Sequence, residues 1–164
     1  MDVETLFDRH YPALLRYLTL YTGDSHEAAD AAQETYLRLL KRPPERQDNV
    51  RAWLFTVATN VVRDRWRKRH VALQSDVIPQ ALVGDPPPDP QATVEREERC
   101  RNVRRLLMKL TPKQRIVLLM REEGFAQREI AQAVGTTTKS VGTMIARALD
   151  RLATELEQAG EELS

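Results

Sequence analysis

Apolar residues along this chain recur mainly every three or four positions, the spacing of one face of a helix. Leu6, Phe7, Tyr11, Leu14, Leu15 and Leu18 form the first such stripe. Pro12 lies within it and implies a kink or a fresh helix start, because proline has no N–H to donate. Thr22-Gly23 breaks the pattern. Asp24 is placed to cap a second helix, with Glu27 three residues on as in a capping box. That helix runs through Ala28, Ala32, Tyr36, Leu37 and Leu40 and stops before Pro43-Pro44. Asn49 is the expected cap of a third, whose buried stripe is Trp53, Leu54, Val57, Ala58 and Val61. Further on, Leu106, Leu107 and Leu110 make another stripe. Thr111 caps the next helix, with Pro112 in the favoured first position, and its stripe is Ile116, Val117, Leu119 and Met120. Gly124 ends it. Glu129 to Val134 predicts a short helix, Gly135 a turn, and Thr137 the cap of a last long helix carrying Val141, Ile145, Leu149 and Leu152.

The stripes fall into two groups, separated by Gly84-Asp-Pro-Pro-Pro-Asp-Pro. So many prolines exclude a helix or a central strand and mark an extended linker. The expected fold class is all-α, with two small helical domains, residues 1–71 and 96–164, joined by a Pro-rich acidic linker over 72–95. Few β-branched runs and only 6 glycines speak against an all-β fold.

A net charge of +1 hides strong segregation. Residues 1–50 carry net −3, residues 51–70 net +5, the spacer 71–95 net −4, residues 96–155 net +6 and residues 156–164 net −3. Two basic blocks flanking an acidic spacer predict two polyanion-facing surfaces. Other function classes recede. One cysteine, Cys100, excludes a disulfide framework and a cysteine-based zinc site. His10, His26 and His70 show no metal spacing, and there is no glycine-rich phosphate loop. Hence no catalytic residue, metal or cofactor is expected. No apolar run is long enough to span a bilayer, and Met1-Asp2-Val3-Glu4 lacks the basic-then-apolar order of a signal peptide. A cytoplasmic protein is the expectation.

Three segments carry candidate chemistry. Gln127 to Ile145 has the spacing of a helix-turn-helix: small Ala131 where the helices touch, Gly135 at the turn, and Ile130, Val134, Val141 and Ile145 as the lock. Its second helix would enter a major groove, and the candidate duplex contacts are Arg128, Thr137, Thr138, Lys139, Ser140, Gly142, Thr143 and Arg147. The second segment places five cations between Arg63 and Arg69. Cations neutralise phosphates, and aromatic faces stack on unpaired bases. Phe55, Thr56, Thr59 and Asn60 lie off the expected apolar stripe, so with Arg63, Arg65 and Arg67 they are the candidates for touching a separated strand. Trp53 is assigned to core packing. The third segment sets Asp30, Gln33, Glu34 and Arg38 on one polar stripe, a candidate protein-docking face together with Leu37.

Together these segments resemble a bacterial RNA polymerase sigma factor of the extracytoplasmic-function class of the sigma-70 family, over about residues 4–71 and 96–153. The resemblance implies a subunit that binds core polymerase, through its β′ clamp and β subunits, and directs promoter recognition and transcription initiation. Asp30-Ala-Ala-Gln-Glu-Thr is similar to the family's core-polymerase contact, so Asp30, Gln33, Glu34, Leu37 and Arg38 would grip the β′ clamp. Asn49 to Asp64 resembles the part that melts and reads the −10 element. There the residue matching Asn60 and the loop 42–50 face the exposed non-template strand. Leu110-Thr-Pro-Lys-Gln-Arg and the helix-turn-helix resemble the −35-reading domain. The resemblance further implies an anti-sigma partner and association with the nucleoid when polymerase-bound. The linker would run near the RNA exit path or act as a passive tether, and the acidic residues 155–164 could serve the anti-sigma partner.

One stretch departs from the family. Lys139-Ser-Val-Gly-Thr-Met-Ile stands where members commonly have Gly-Thr-Val-Lys-Ser-Arg-Leu, so Gly142 and Met144 replace two cations. That implies either an upstream element read by close backbone approach at Gly142, or weaker dependence on that element. The rival reading is a stand-alone dimeric helix-turn-helix regulator that binds palindromic half-sites alone.

Overall fold

The computed structural model describes residues 2–46, 48–73 and 93–163, without the side chains of 71–73 and 161–163. Among the described residues there are seven helices and no strand: α1 Val3–Thr22, α2 Ser25–Lys41, α3 Val50–Leu73, α4 Val94–Met108, α5 Pro112–Glu122, α6 Gln127–Val134 and α7 Thr138–Leu163. The chain divides into two compact units, Met1–Gly84 and Asp85–Ser164. The Pro-rich spacer lies outside the described residues. Its expected ends are shorter by a few residues, because α3 continues to Leu73 and α4 starts at Val94.

In the first unit α1 packs against both α2 and α3. The core is Phe7, Leu14, Tyr17, Leu18 and Tyr21 of α1, Ala28, Ala31, Ala32 and Leu39 of α2, and Leu54, Phe55, Ala58, Val61 and Val62 of α3. Small alanines on α2 let the helices approach closely, and the aromatics of α1 fill what remains. Phe7 meets Tyr36 with ring centroids 4.5 Å apart, and Tyr17 meets Phe55 at 5.0 Å. Pro12 sits inside one helix, exposed, and starts no new one. On the solvent side of a helix its missing N–H leaves a carbonyl that water can satisfy.

Gly23 closes α1 at φ 75°, and its N–H bonds to the Thr19 carbonyl. Asp24 caps α2 as expected, accepting from the N–H groups of His26 and Glu27. Glu27 does not return the bond to Asp24. The Asp24 N–H goes to Thr22 Oγ1, and the Glu27 side chain reaches α3 instead. Asn49 directly precedes α3, and its carbonyl accepts from the Trp53 N–H.

In the second unit α5, α6 and α7 pack on one another, with α4 against α7. Thr111 and Gln114 form a reciprocal capping box on α5, with Pro112 at its start. Arg115 is buried and donates to the Leu110 carbonyl at 2.8 Å, tying α5 back to the turn before it. Ile116, Val117, Ile130, Val134, Val141, Ile145 and Ala148 close the core. The apolar spacing of α7 outruns that core, since Leu149 and Leu156 are exposed. The acidic residues from 155 onward continue α7, where Glu155 pairs with Arg151 at 3.0 Å.

Candidate functional site

The first surface belongs to α2. Its buried stripe is Ala28, Ala31, Ala32, Thr35 and Leu39, one step round from the stripe expected from the sequence. Leu37 and Leu40 therefore lie outside, 45% and 52% exposed. Asp30, Gln33 and Arg38 are exposed and Glu34 is half-buried. Arg38 Nε lies 3.3 Å from Glu34 Oε1, one turn away. The face thus combines two leucines with a ring of carboxylate, amide and guanidinium groups. Leu40, which the apolar spacing expects inside, is a surface residue, because the small side chains of the alanines and Thr35 form the buried stripe instead.

The second surface belongs to α3, where two expectations are corrected. Phe55 and Thr59 are 0% exposed. Phe55 packs against the Tyr17 ring, and the Arg51 guanidinium lies over the Phe55 ring, 5.4 Å from its centroid. The Thr59 hydroxyl donates to the Phe55 carbonyl at 2.6 Å. Its remaining capacity accepts the Tyr17 hydroxyl at 2.7 Å. Burial holds the Tyr17 phenol well above its ordinary range, so it stays protonated as a donor. Neither Phe55 nor Thr59 offers a surface to a strand, and the core on this side of α3 is Phe55, Thr59 and Val62.

About a quarter-turn round the helix from them stand Thr56, Asn60, Arg63 and Arg67, spaced four, three and four residues apart. At about 100° per residue they share one stripe, with Thr56, Asn60 and Arg63 half-buried and Arg67 exposed. Half-buried Trp53, three residues before Thr56, extends it. That spacing sets it at the edge of the core. Arg65, two residues from both Arg63 and Arg67, is turned about 200° from each and does not join them. Arg67 also lies 3.8 Å from Asp64, an exposed pair of little strength. Arg42 and Arg46 in the loop before α3 are exposed, while Gln47 lies outside the described residues.

The third surface is the helix-turn-helix. Gly135 takes φ 78°, where a side chain would be strained, and the N–H groups of Gly135 and Thr136 both reach the Ala131 carbonyl. Ala131 is buried between the helices, as its size requires. Thr137 caps α7 by accepting from the Ser140 N–H, and its hydroxyl donates to Ser140 Oγ at 2.9 Å. Arg128, Thr138, Lys139, Thr143 and Arg147 are exposed, and Ser140 and Gly142 half-buried. Lys139, Ser140, Thr143, Met144 and Arg147 line one open hollow of about 260 Å³. These are positions of a single helix face, so Lys139, Ser140, Thr143 and Arg147 assemble there, while Arg128, Thr138 and Gly142 lie outside the hollow and Thr137 is committed to the cap. A Cβ on Gly142 would meet only Gln127 Nε2, at 3.9 Å, so the fold does not require glycine there.

Among the described residues no group of acidic, histidine or cysteine side chains could hold a metal, and no helix is long and apolar enough to cross a membrane.

Known proteins match the chain in the same two parts. The sigma-70 region 2 family matches residues 6–71, and the sigma-70 region 4 family matches residues 100–152. The ECF RNA polymerase sigma factor SigD of Mycobacterium bovis is 32% identical, over 92% of this chain and 74% of its own. The RNA polymerase sigma factor YlaC of Bacillus subtilis is 27% identical, over 98% of this chain and 95% of its own. Among solved structures, the sigma factor RpoE from Bartonella quintana, in complex with the anti-sigma factor NepR, shares the fold at TM-score 0.74. It has 21% identity and covers 94% of this chain and 96% of that one.

Proposed function

Because the chain belongs to the extracytoplasmic-function group of sigma-70 RNA polymerase sigma factors, it directs promoter recognition and transcription initiation, and we propose how its three surfaces divide that work. The α2 face of Asp30, Gln33, Glu34, Leu37 and Arg38, extended by Leu40, grips core polymerase. Two exposed leucines ringed by hydrogen-bonding and charged groups match an interface with an apolar centre and a polar rim. The α3 stripe of Thr56, Asn60, Arg63 and Arg67, with Trp53, receives the separated strand at the −10 element. Its guanidinium groups neutralise phosphates, while the indole, amide and hydroxyl meet bases. The α7 face of Lys139, Ser140, Thr143 and Arg147, with Arg128 and Thr138 beside it, enters the duplex at the −35 element. The protein works by binding rather than catalysis, in the cytoplasm and on the nucleoid. A protein of the anti-sigma class holds it inactive until needed.

The observation that carries this reading is the α3 stripe. One helix turns a buried side to its own core and, beside it, lines up an indole, a hydroxyl, an amide and two guanidinium groups. Asn60→Ala separates strand capture from duplex binding. The expected result is a promoter complex that forms normally by footprinting, with thymine reactivity around the −10 element reduced. Normal opening with impaired initial binding would reassign Asn60.

A further inference from the structure

Residues 63–70 form the basic part of α3. They carry Arg63, Arg65, Arg67, Lys68 and Arg69, and Trp66 is their sole apolar side chain. None of them is fully buried, and the last buried side chain before them is Val62. Like charges crowded on two turns repel one another, so the helix end needs an external tie.

The first turn of α2 supplies it. The Glu27 carboxylate accepts from Trp66 Nε1 at 2.6 Å and pairs with the Arg69 guanidinium. It does so from a sheltered place, its side chain 14% exposed against 46% for Arg69. The Trp66 ring also stands edge-on to the buried Tyr21 of α1, with centroids 5.1 Å apart. Trp66 continues the inward stripe of Phe55, Thr59 and Val62, at spacings of four, three and four. Arg63 lies three residues before it and Arg67 one after, about 60° and 100° round the helix from the indole. Whatever fixes the rotation of α3 at Trp66 therefore fixes the direction of those two cations. Glu27 was read from the sequence as half of a capping box, and that half is absent, which leaves its carboxylate for α3.

We propose that Glu27 is a positioning residue for strand capture: by holding Trp66 and Arg69 it locks the end of α3 and aims Arg63 and Arg67 together at the separated strand. Glu27 itself touches no nucleic acid, and its charge draws Arg69 away from the phosphate-binding set. The inference rests on the α3 stripe being the strand-binding face.

The test compares Glu27→Ala, Glu27→Gln and the double variant Arg63→Ala/Arg67→Ala. Full-length chains are used with core polymerase, on a promoter fragment that supports run-off transcription. Three quantities are read: affinity for core polymerase, initial promoter binding, and opening by thymine reactivity. Glu27→Ala is expected to reduce opening roughly threefold to tenfold, the scale of one net hydrogen bond. Core affinity and initial binding stay at wild-type values. Glu27→Gln, which keeps an acceptor for Trp66, recovers part of the loss. Amide exchange over residues 63–70 rises in Glu27→Ala while that of α1 does not. Wild-type opening by Glu27→Ala, beside a double variant that fails to open, overturns the latch and leaves the strand face standing. Loss of opening only in proportion to lost core affinity also overturns it, because that is a purely structural effect. Wild-type opening by the double variant overturns the strand face and the latch with it.

Discussion

Thr59 shows how one hydroxyl can assign a helix face. Its proton goes to the Phe55 carbonyl, its lone pair takes the Tyr17 proton, and the three groups form a polar knot inside an apolar core. Thr59→Val keeps the shape and strands the buried Tyr17 hydroxyl. The expected cost is about 1–3 kcal/mol in urea unfolding, the penalty for an unsatisfied buried donor. Adding Tyr17→Phe should recover part of it, and an unchanged stability in Thr59→Val would contradict the assignment. Gly142 poses the opposite case, a residue the fold tolerates but does not need. With room for a Cβ, Gly142→Ala should raise stability by about 1 kcal/mol through helix propensity. A fall in promoter affinity alongside that gain would show that DNA approaches the Gly142 backbone closely. His10 gives a pH signature. Burial, then the nearby charges of Arg51 and Arg9, hold its imidazole below the ordinary value of 6.5. The folded state therefore favours the neutral ring. Its contribution to stability is complete above about pH 6.5 and declines as the unfolded chain takes up the proton below that. His10→Asn should flatten this part of the stability-versus-pH curve; an identical curve would remove His10 as its cause.

At the scale of elements, legibility followed the kind of signal. Caps and turns act through local chemistry, so Asp24, Thr111, Pro112, Gly124, Gly135 and Thr137 could be read directly from the sequence. The helix-turn-helix lock could be read as well, because its large apolar residues have few other places to go. Helix rotation was harder. On α2 the buried stripe consists of alanines and a threonine, while the prominent leucines 37 and 40 face outward. On α3 the core takes in Phe55, Thr59 and Val62 beside the expected Leu54, Ala58 and Val61, and leaves Trp53 half-buried, so the large apolar residues marked only part of the buried face. The Glu27–Trp66 contact spans 39 residues between two helices, and no local pattern announces a pair of that kind. Exposed Arg38 offers an element-level test. Its pairing with Glu34 lies on the surface, so Arg38→Glu should change stability by no more than about 0.5 kcal/mol. The same substitution should weaken core-polymerase binding at least roughly tenfold, as expected for an arginine anchor. Wild-type affinity in that variant would remove the α2 stripe from the interface.

For the whole molecule, the charge blocks and the two units fit the three proposed contacts. The α3 stripe needs a strand already parted from its partner, and parting base pairs costs more than four or five side chains return. The proposed α7 face offers only Lys139 and Arg147 as cations, with Arg128 beside it, so its grip on duplex DNA alone should be weak and should fall further with added salt. Each contact becomes useful when core polymerase supplies the others. A self-sufficient dimeric regulator would need the reverse, tight binding to half-sites by the free chain.

The most direct test of this dependence is run-off transcription on genomic fragments with purified chain, core polymerase, or both. The account predicts transcripts from discrete start sites only when the two are combined, with the chain co-eluting with the polymerase. Start sites that do not depend on the chain, together with tight promoter binding by the chain alone, would contradict it.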